Sequence, residues 1–272
     1  MLHNALLELR RIGGTLLGWL LWIAIILVWG LLLVPLTLLL SPLWPAVREL
    51  FSTATRLAMR AFVWTMPFAR FELDRVERRL EGPRILVVNH VSRLDSPVLL
   101  GFEPRLAGPV RGYMLRVPLI GSIIRTLGFF DADAGDFEAV EGMHRAAVAA
   151  RERGGGLLFY PEGTRSRTGE IGAFHRGAFR LAVDHDLPIQ PVVLEGLDVV
   201  FPPGHVISPV RGRHLVQIHY LEPLHPPYGA GPRRDVVRRL SERVRGSLVE
   251  ALARLRAERS DQAPTLARHD SG

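Results

Sequence analysis

The chain has 272 residues, 48% of them hydrophobic, a formal charge of +7 and no cysteine. Such a length suits one large domain or a domain with an appendage, and it can bury a core without disulfide support. The missing cysteine excludes disulfides, thiolate metal sites and a cysteine nucleophile. Lysine is absent too, so the fixed positive charge is all arginine, whose forked guanidinium suits phosphate.

A basic balance fits anionic lipid, nucleic acid or an acidic protein, and the start of the chain favours lipid. From Ile12 to Val47 there is no Asp, Glu, Lys, Arg or His; Arg10-Arg11 precede the run and Arg48-Glu49 follow it. One straight helix over it would reach about 54 Å. A bilayer core is about 30 Å thick, so the run is too long for one simple crossing and short for two. A break at Gly30 and Pro35 would allow a helix–break–helix dipping into one leaflet. The alternative is a tilted single span. The one-leaflet form is preferred because it puts Arg11 and Arg48 on the same face. Trp19, Trp22, Trp29 and Trp44 are candidate interface anchors. A cleaved signal peptide fits poorly, because the apolar stretch is too long and no A-x-A-like site follows. Next, Arg48, Arg56 and Arg60 recur at multiples of four among apolar residues. They predict an amphipathic helix, lying in the headgroup layer or packed on the domain.

Strands are expected over Phe71–Val76, Arg84–Val88, Val110–Leu115, Gly128–Asp131, Leu157–Tyr160, Ile189–Leu194 and Val216–Leu221. Helices are expected over Ser96–Gly101, Leu119–Leu127, Phe137–Arg151, Phe174–Asp184 and Arg233–Arg256. Pro202–Arg213 reads as loop. The alternation predicts an α/β fold with a mixed, largely parallel central sheet flanked by helices, behind an N-terminal hydrophobic membrane-anchoring helical segment. The expected units are anchoring helices over 1–70, a domain over 71–257, and a polar, disordered tail over 258–272.

Two stretches carry chemistry. In Val87–Leu100, VVNHVSRLDSPVLL, a buried strand runs into Asn89-His90, with Asp95 five residues beyond the histidine. Carboxyl ends of strands line the ligand crevice of open α/β sheets. A histidine there can act as a general base, better if a carboxylate fixes its tautomer. Ser92-x-x-Asp95 is equally a capping-box pattern, in which Asp95 merely caps a helix. In Phe159–Ser166, FYPEGTRS, Gly163 lets backbone approach a ligand, Thr164 offers a hydroxyl and Arg165 a bidentate donor for phosphate. The same residues could form a plain turn. Arg176-Gly177, at a helix start, could add phosphate donors.

Taken in order, NHVSRLD, then PLIG at Pro118–Gly121, FYPEGTRS and LPIQPVV at Leu187–Val193 resemble the 1-acylglycerol-3-phosphate acyltransferase family of lysophospholipid and glycerophosphate acyltransferases. The resemblance covers about Phe71–Leu221. It implies that His90 takes a proton from an acceptor hydroxyl and that Asp95 orients His90. It implies transfer of a fatty acyl group from acyl-CoA or acyl-carrier protein to a lysophospholipid, 1-acylglycerol-3-phosphate first, giving phosphatidate. Glu162, Gly163, Thr164 and Arg165 would line the acceptor phosphate site. The family often has Lys and Glu before Pro-x-x-Gly and an Asp-Arg pair after it. Here those places read Arg111-Gly112-Tyr113-Met114-Leu115-Arg116 and Asp131-Ala132-Asp133. An expected phosphate ligand is therefore missing, and Arg111, Arg116, Arg125 and Arg176 are candidates to replace it. The departure opens a different lysolipid head group as the acceptor. A non-catalytic lipid-binding protein of the same fold is the rival, although its signature would be a lost His or Asp. The resemblance implies no cofactor beyond the acyl donor as co-substrate. Neither a metal nor a nucleic-acid partner is expected. The lipid substrates place the protein at the inner, cytoplasmic membrane with its active site toward the cytoplasm.

Overall fold

The computed structural model describes residues 2–210, 212–226 and 231–269. Arg211, inside the expected Pro202–Arg213 loop, and the last residues of the expected tail, 270–272, lie outside the described residues.

The uncharged run does not reverse at Gly30 or Pro35. Helix α1 (Leu2–Val28), a π turn (Trp29–Leu33) and α2 (Val34–Leu40) form one continuous helical stretch. The N–H of Val34 reaches back to the Trp29 carbonyl. This wider turn falls just before Pro35 and leaves it at the start of α2, where a missing N–H costs little. Gly30 serves a different purpose: a Cβ there would lie 2.6 Å from the Cβ of Leu119, so the glycine is a notch for that side chain. The reversal comes at 41–46, which includes Pro42 and Pro45, and α3 (Val47–Trp64) runs back along α1 and α2.

The contacts of this hairpin are specific. Trp19 donates to the Val206 carbonyl at 2.7 Å, Trp29 to the Thr55 hydroxyl at 2.9 Å, and Trp22 packs on Phe62. Those three indoles therefore face the protein, and of the four expected interface anchors Trp44 is the exposed one. The outer face of α1 and α2 exposes Leu16, Leu20, Leu27, Leu31 and Leu39. Ala5–Leu40 is long and apolar enough to cross a membrane by length and composition.

Six strands make the main sheet: β1 (Ala69–Asp74), β2 (Arg84–Val88), β3 (Leu106–Ala107), β6 (Gly156–Phe159), β7 (Ile189–Glu195) and β8 (His214–Tyr220), in the order β1-β8-β7-β2-β6-β3. Strands β7, β2, β6 and β3 are mutually parallel; β8 is antiparallel to β7, and β1 is parallel to β8. The expected mixed, largely parallel sheet is the one observed. Alternate residues of β2 enter two cores. Leu86 and Val88 join α3 and α4 (Asp95–Phe102) on one face. Ile85 and Val87 join α7 (Asp136–Arg153), α8 (Gly177–His185) and α10 (Arg233–His269) on the other. This is the two-residue period of a strand covered on both sides. The expected domain boundary at 257/258 falls inside α10.

One expected strand is mostly helix. Over Val110–Leu115 the chain makes a short β4 (Pro109–Val110), paired with β5 (Phe130–Asp131), and then helix α5 (Gly112–Arg116). The Asp133 carboxylate accepts the Gly112 N–H at 2.9 Å and so holds the start of α5. Helix α6 (Ile120–Leu127) follows, entered through Leu119 at a left-handed φ of 60°. Such strain persists only where packing over-determines it, and here the Gly30 notch receives the side chain. Short helix α9 (Leu197–Val200) follows β7.

Candidate active site

Strands β2 and β6 are paired neighbours, with Val87 opposite Phe159. Their carboxyl ends therefore bring NHVSRLD and FYPEGTRS together, at the crevice where α/β sheets bind ligands. Asn89 makes the exit from β2 rigid. Its amide donates to the Leu194 carbonyl at 2.9 Å and accepts the Leu194 N–H at 2.8 Å, so the side chain continues the ladder to β7.

His90 Nδ1 lies 2.6 Å from Asp95 Oδ2. An ionised carboxylate only accepts, so Nδ1 carries the proton and Nε2 keeps its lone pair. The same Oδ2 accepts the N–H groups of Val91 at 2.8 Å and Ser92 at 2.9 Å. The capping and base–acid readings of Asp95 thus hold together: the carboxylate gathers the turn before α4 and orients the imidazole. The Asp95 side chain is 0% exposed, that of His90 22%. Burial pushes the Asp95 carboxyl up from its ordinary value, while the contacts with His90, Ser92 and Val91 pull it down. Its Oδ1 is buried with no partner among the described residues.

Tyr160 stacks on His90, with ring centroids 4.1 Å apart and an interplanar angle of 18°. Its hydroxyl meets Ser96 Oγ at 3.1 Å. Burial pushes its phenol well above the usual range, so it stays neutral. Glu162 is tied to backbone: Oε1 accepts the His90 N–H at 3.2 Å and Oε2 the Gly172 N–H at 2.9 Å. The Ser166 N–H donates to the His90 carbonyl at 2.7 Å. Glu162 and Ser166 therefore clamp the histidine backbone to the second motif.

Gly163 sits at φ 71°, and a Cβ there would lie 3.0 Å from the imidazole of His175. Both the conformation and the close approach favour glycine. Thr164 and Arg165 are exposed beside it, and Arg165 makes no hydrogen bond or ion pair among the described residues. Arg111 reaches this loop, donating to the Gly163 carbonyl at 3.3 Å while paired to Asp133 at 2.9 Å. The Gly112 N–H and Arg111 hold the Asp133 carboxyl below its usual value, with a further contribution from Arg116. Arg111 and Arg116 are thus grouped around Asp133. No contact among the described residues joins Arg125 or Arg176 to the dyad.

Sequence reasoning missed Tyr160 and His175. The adjacency of Tyr160 to the Pro-Glu-Gly turn was the available signal for the first; nothing in the spacing signals the second.

Residues 70–195 match the acyltransferase family model. That segment holds both the His90–Asp95 pair and the Pro161–Arg165 loop. It is 29% identical over 181 residues to the 1-acyl-sn-glycerol-3-phosphate acyltransferase of Saccharomyces cerevisiae, covering 65% of this chain and 57% of that protein. The enzyme of that name from Pseudomonas aeruginosa is 28% identical over 182 residues, 65% of this chain and 69% of that one. The chloroplast enzyme of that name from Arabidopsis thaliana is 26% identical over 188 residues, 68% of this chain and 50% of that one. The chain thus spans only about half the length of the chloroplast relative. The crystal structure of the 1-acyl-sn-glycerophosphate acyltransferase PlsC from Thermotoga maritima superposes with a TM-score of 0.73 at 22% identity. It covers 92% of this chain and 98% of that one, so the two share a fold over most of their length.

Proposed function

We propose that the protein transfers a fatty acyl group from a thioester, acyl-CoA or acyl-carrier protein, to the free hydroxyl of 1-acylglycerol-3-phosphate, giving phosphatidate. The observation that carries this is the His90–Asp95 pair at 2.6 Å, inside the segment matched by the family. Nε2 of His90 takes the hydroxyl proton as the oxygen attacks the thioester carbonyl. Asp95 stabilises the imidazolium that forms. The tetrahedral intermediate collapses, the C–S bond breaks, and the imidazolium returns its proton to the leaving sulfur. No acyl-enzyme is formed, consistent with the missing cysteine. A positioned base contributes about 10²–10⁴-fold. Arg165 and Arg111 supply guanidinium donors to the acceptor phosphate beside Gly163, while Glu162 acts on the His90 backbone. The exposed leucines of α1 and α2 insert into the cytoplasmic leaflet, which brings the dyad to lipid acceptors and a cytoplasmic donor.

The Arg111–Asp133 pair favours a second reading of the acceptor. Asp133 offsets part of the positive charge beside Gly163, which suits a lysolipid with a less anionic head group than a phosphate monoester. One experiment decides between them. Membranes containing the protein are given labelled acyl donor and a panel of lysolipids, and products are identified by mass. Phosphatidate as the main product supports the first reading, and another diacyl product the second. Labelled free fatty acid formed equally without any lysolipid would overturn both.

A further inference from the structure

At the opposite end of β2 from His90 lies a cavity of about 310 Å³, a size found among small-ligand sites. Strand spacing puts it about 20 Å from the dyad. Arg56, Arg79, Arg84 and Arg105 line it, with the hydroxyl residues Ser52 and Thr53 of α3. Four guanidinium groups around one cavity repel unless anions answer them. Three carboxylates are at hand. Buried Glu103 holds Arg84 and meets Arg79 Nε at 3.3 Å, and Glu49 takes Arg105 at 2.6 Å. Glu81 lines the cavity but is exposed and unpaired among the described residues. Arg56 has no ion pair or hydrogen bond among the described residues. The Nε of Arg84 is buried without a hydrogen-bond acceptor, and Arg79 Nε meets Glu103 only as an ion pair. Arg105 is held at a left-handed φ of 53°, the kind of strain that collects at binding sites.

We propose that this cavity is a second anion site, separate from the dyad, that takes a phosphate group on Arg56, Arg79, Ser52 and Thr53. The position of α3 favours phosphate carried by a phospholipid. Its outer face exposes Leu50, Leu57 and Trp64 at seven-residue spacing, a single apolar stripe. Thr53 and Arg56 lie beside that stripe, so the cavity opens at headgroup depth when the stripe meets acyl chains. The site does not depend on the catalytic reading.

The test uses the full chain in neutral detergent micelles and follows its melting temperature. Three ligands are titrated at matched ionic strength: short-chain phosphatidylglycerol, short-chain phosphatidylcholine and inorganic phosphate. Phosphatidylglycerol is expected to raise the melting temperature more than phosphatidylcholine. Loss of one charged contact in Arg56→Gln should raise the half-saturating concentration about tenfold. Arg165→Gln, at the other site, should leave it unchanged. Response to phosphatidylglycerol alone assigns the source to lipid; response to inorganic phosphate as well assigns a site for phosphate in either form. If Arg56→Gln itself melts early, Ser52→Ala provides the comparison. The proposal is overturned if neither phosphatidylglycerol nor phosphate stabilises the wild type. It is equally overturned if Arg56→Gln and wild type respond alike, or if Arg165→Gln abolishes the response.

Discussion

Helix α4 is bracketed by two buried carboxylates that do opposite things. Asp95 opens the helix and Glu103 caps its end, and both side chains are 0% exposed. Glu103 is saturated. It holds Arg84, accepts the Tyr220 hydroxyl and faces Arg79. Its arginine partners never lose their charge near neutrality. Asp95 gathers three N–H groups on one oxygen, one of them from the His90 ring, and leaves its other oxygen unpartnered. Glu103 is thus built for permanence, and in the proposed mechanism Asp95 answers a charge that forms on the imidazole during transfer. A buried acid matched by fixed cations serves the fold; under the proposed function, a buried acid matched by one histidine, open on its other nitrogen, serves a reaction.

The largest test of this contrast removes the base. His90→Ala should lower acyl transfer by about 10²–10⁴-fold, with its thermal melt near that of wild type. Glu103→Gln should do the reverse. Stranding buried Arg84 should cost about 3–5 kcal/mol of stability, read by denaturant unfolding, while turnover per folded molecule stays near normal. Glu162→Gln is intermediate. It keeps one acceptor for the two backbone N–H groups but loses the charge, so kcat should fall about tenfold with a smaller change in acceptor KM. Asp133→Asn is the mildest. Releasing Arg111 from an exposed pair should improve kcat/KM for the more anionic of two acceptors by roughly twofold to fivefold, measured in direct competition.

Much of this was legible in the chain. The buried run Arg84–Val88 and the spacing of His90 and Asp95 point to the dyad, because strand periodicity and a polar pair at a strand end are local signals. The resemblance of the four motifs likewise leads to the family that residues 70–195 match. Long-range partners were not legible. Nothing in the sequence says that Gly30 is a notch for Leu119, and a glycine and a proline in one apolar run read naturally as a break. The reversal at 41–46 depends on α3 packing back along α1, which only the folded chain provides. Arg84 is hidden for the same reason. An arginine at the head of a strand looks like a solvated boundary, yet it is 1% exposed because Glu103 arrives from nineteen residues away. Glu162 reads as a ligand until its two oxygens are seen on the backbone of His90 and Gly172.

The central claim is that Asp95 is kept charged in a buried place for the sake of His90, and Asp95→Asn tests it most directly. Burial raises the folded carboxyl above its ordinary value, so the ionised form is the one the fold disfavours. The stability of wild type relative to Asp95→Asn should therefore fall as pH rises from the ordinary carboxylate value through the raised folded one, and level off above it. Turnover should move the other way. At neutral pH Asp95→Asn should melt no lower than wild type while transferring acyl groups at least about 10²-fold more slowly. A variant that is clearly less stable at neutral pH yet turns over near the wild-type rate would contradict the account.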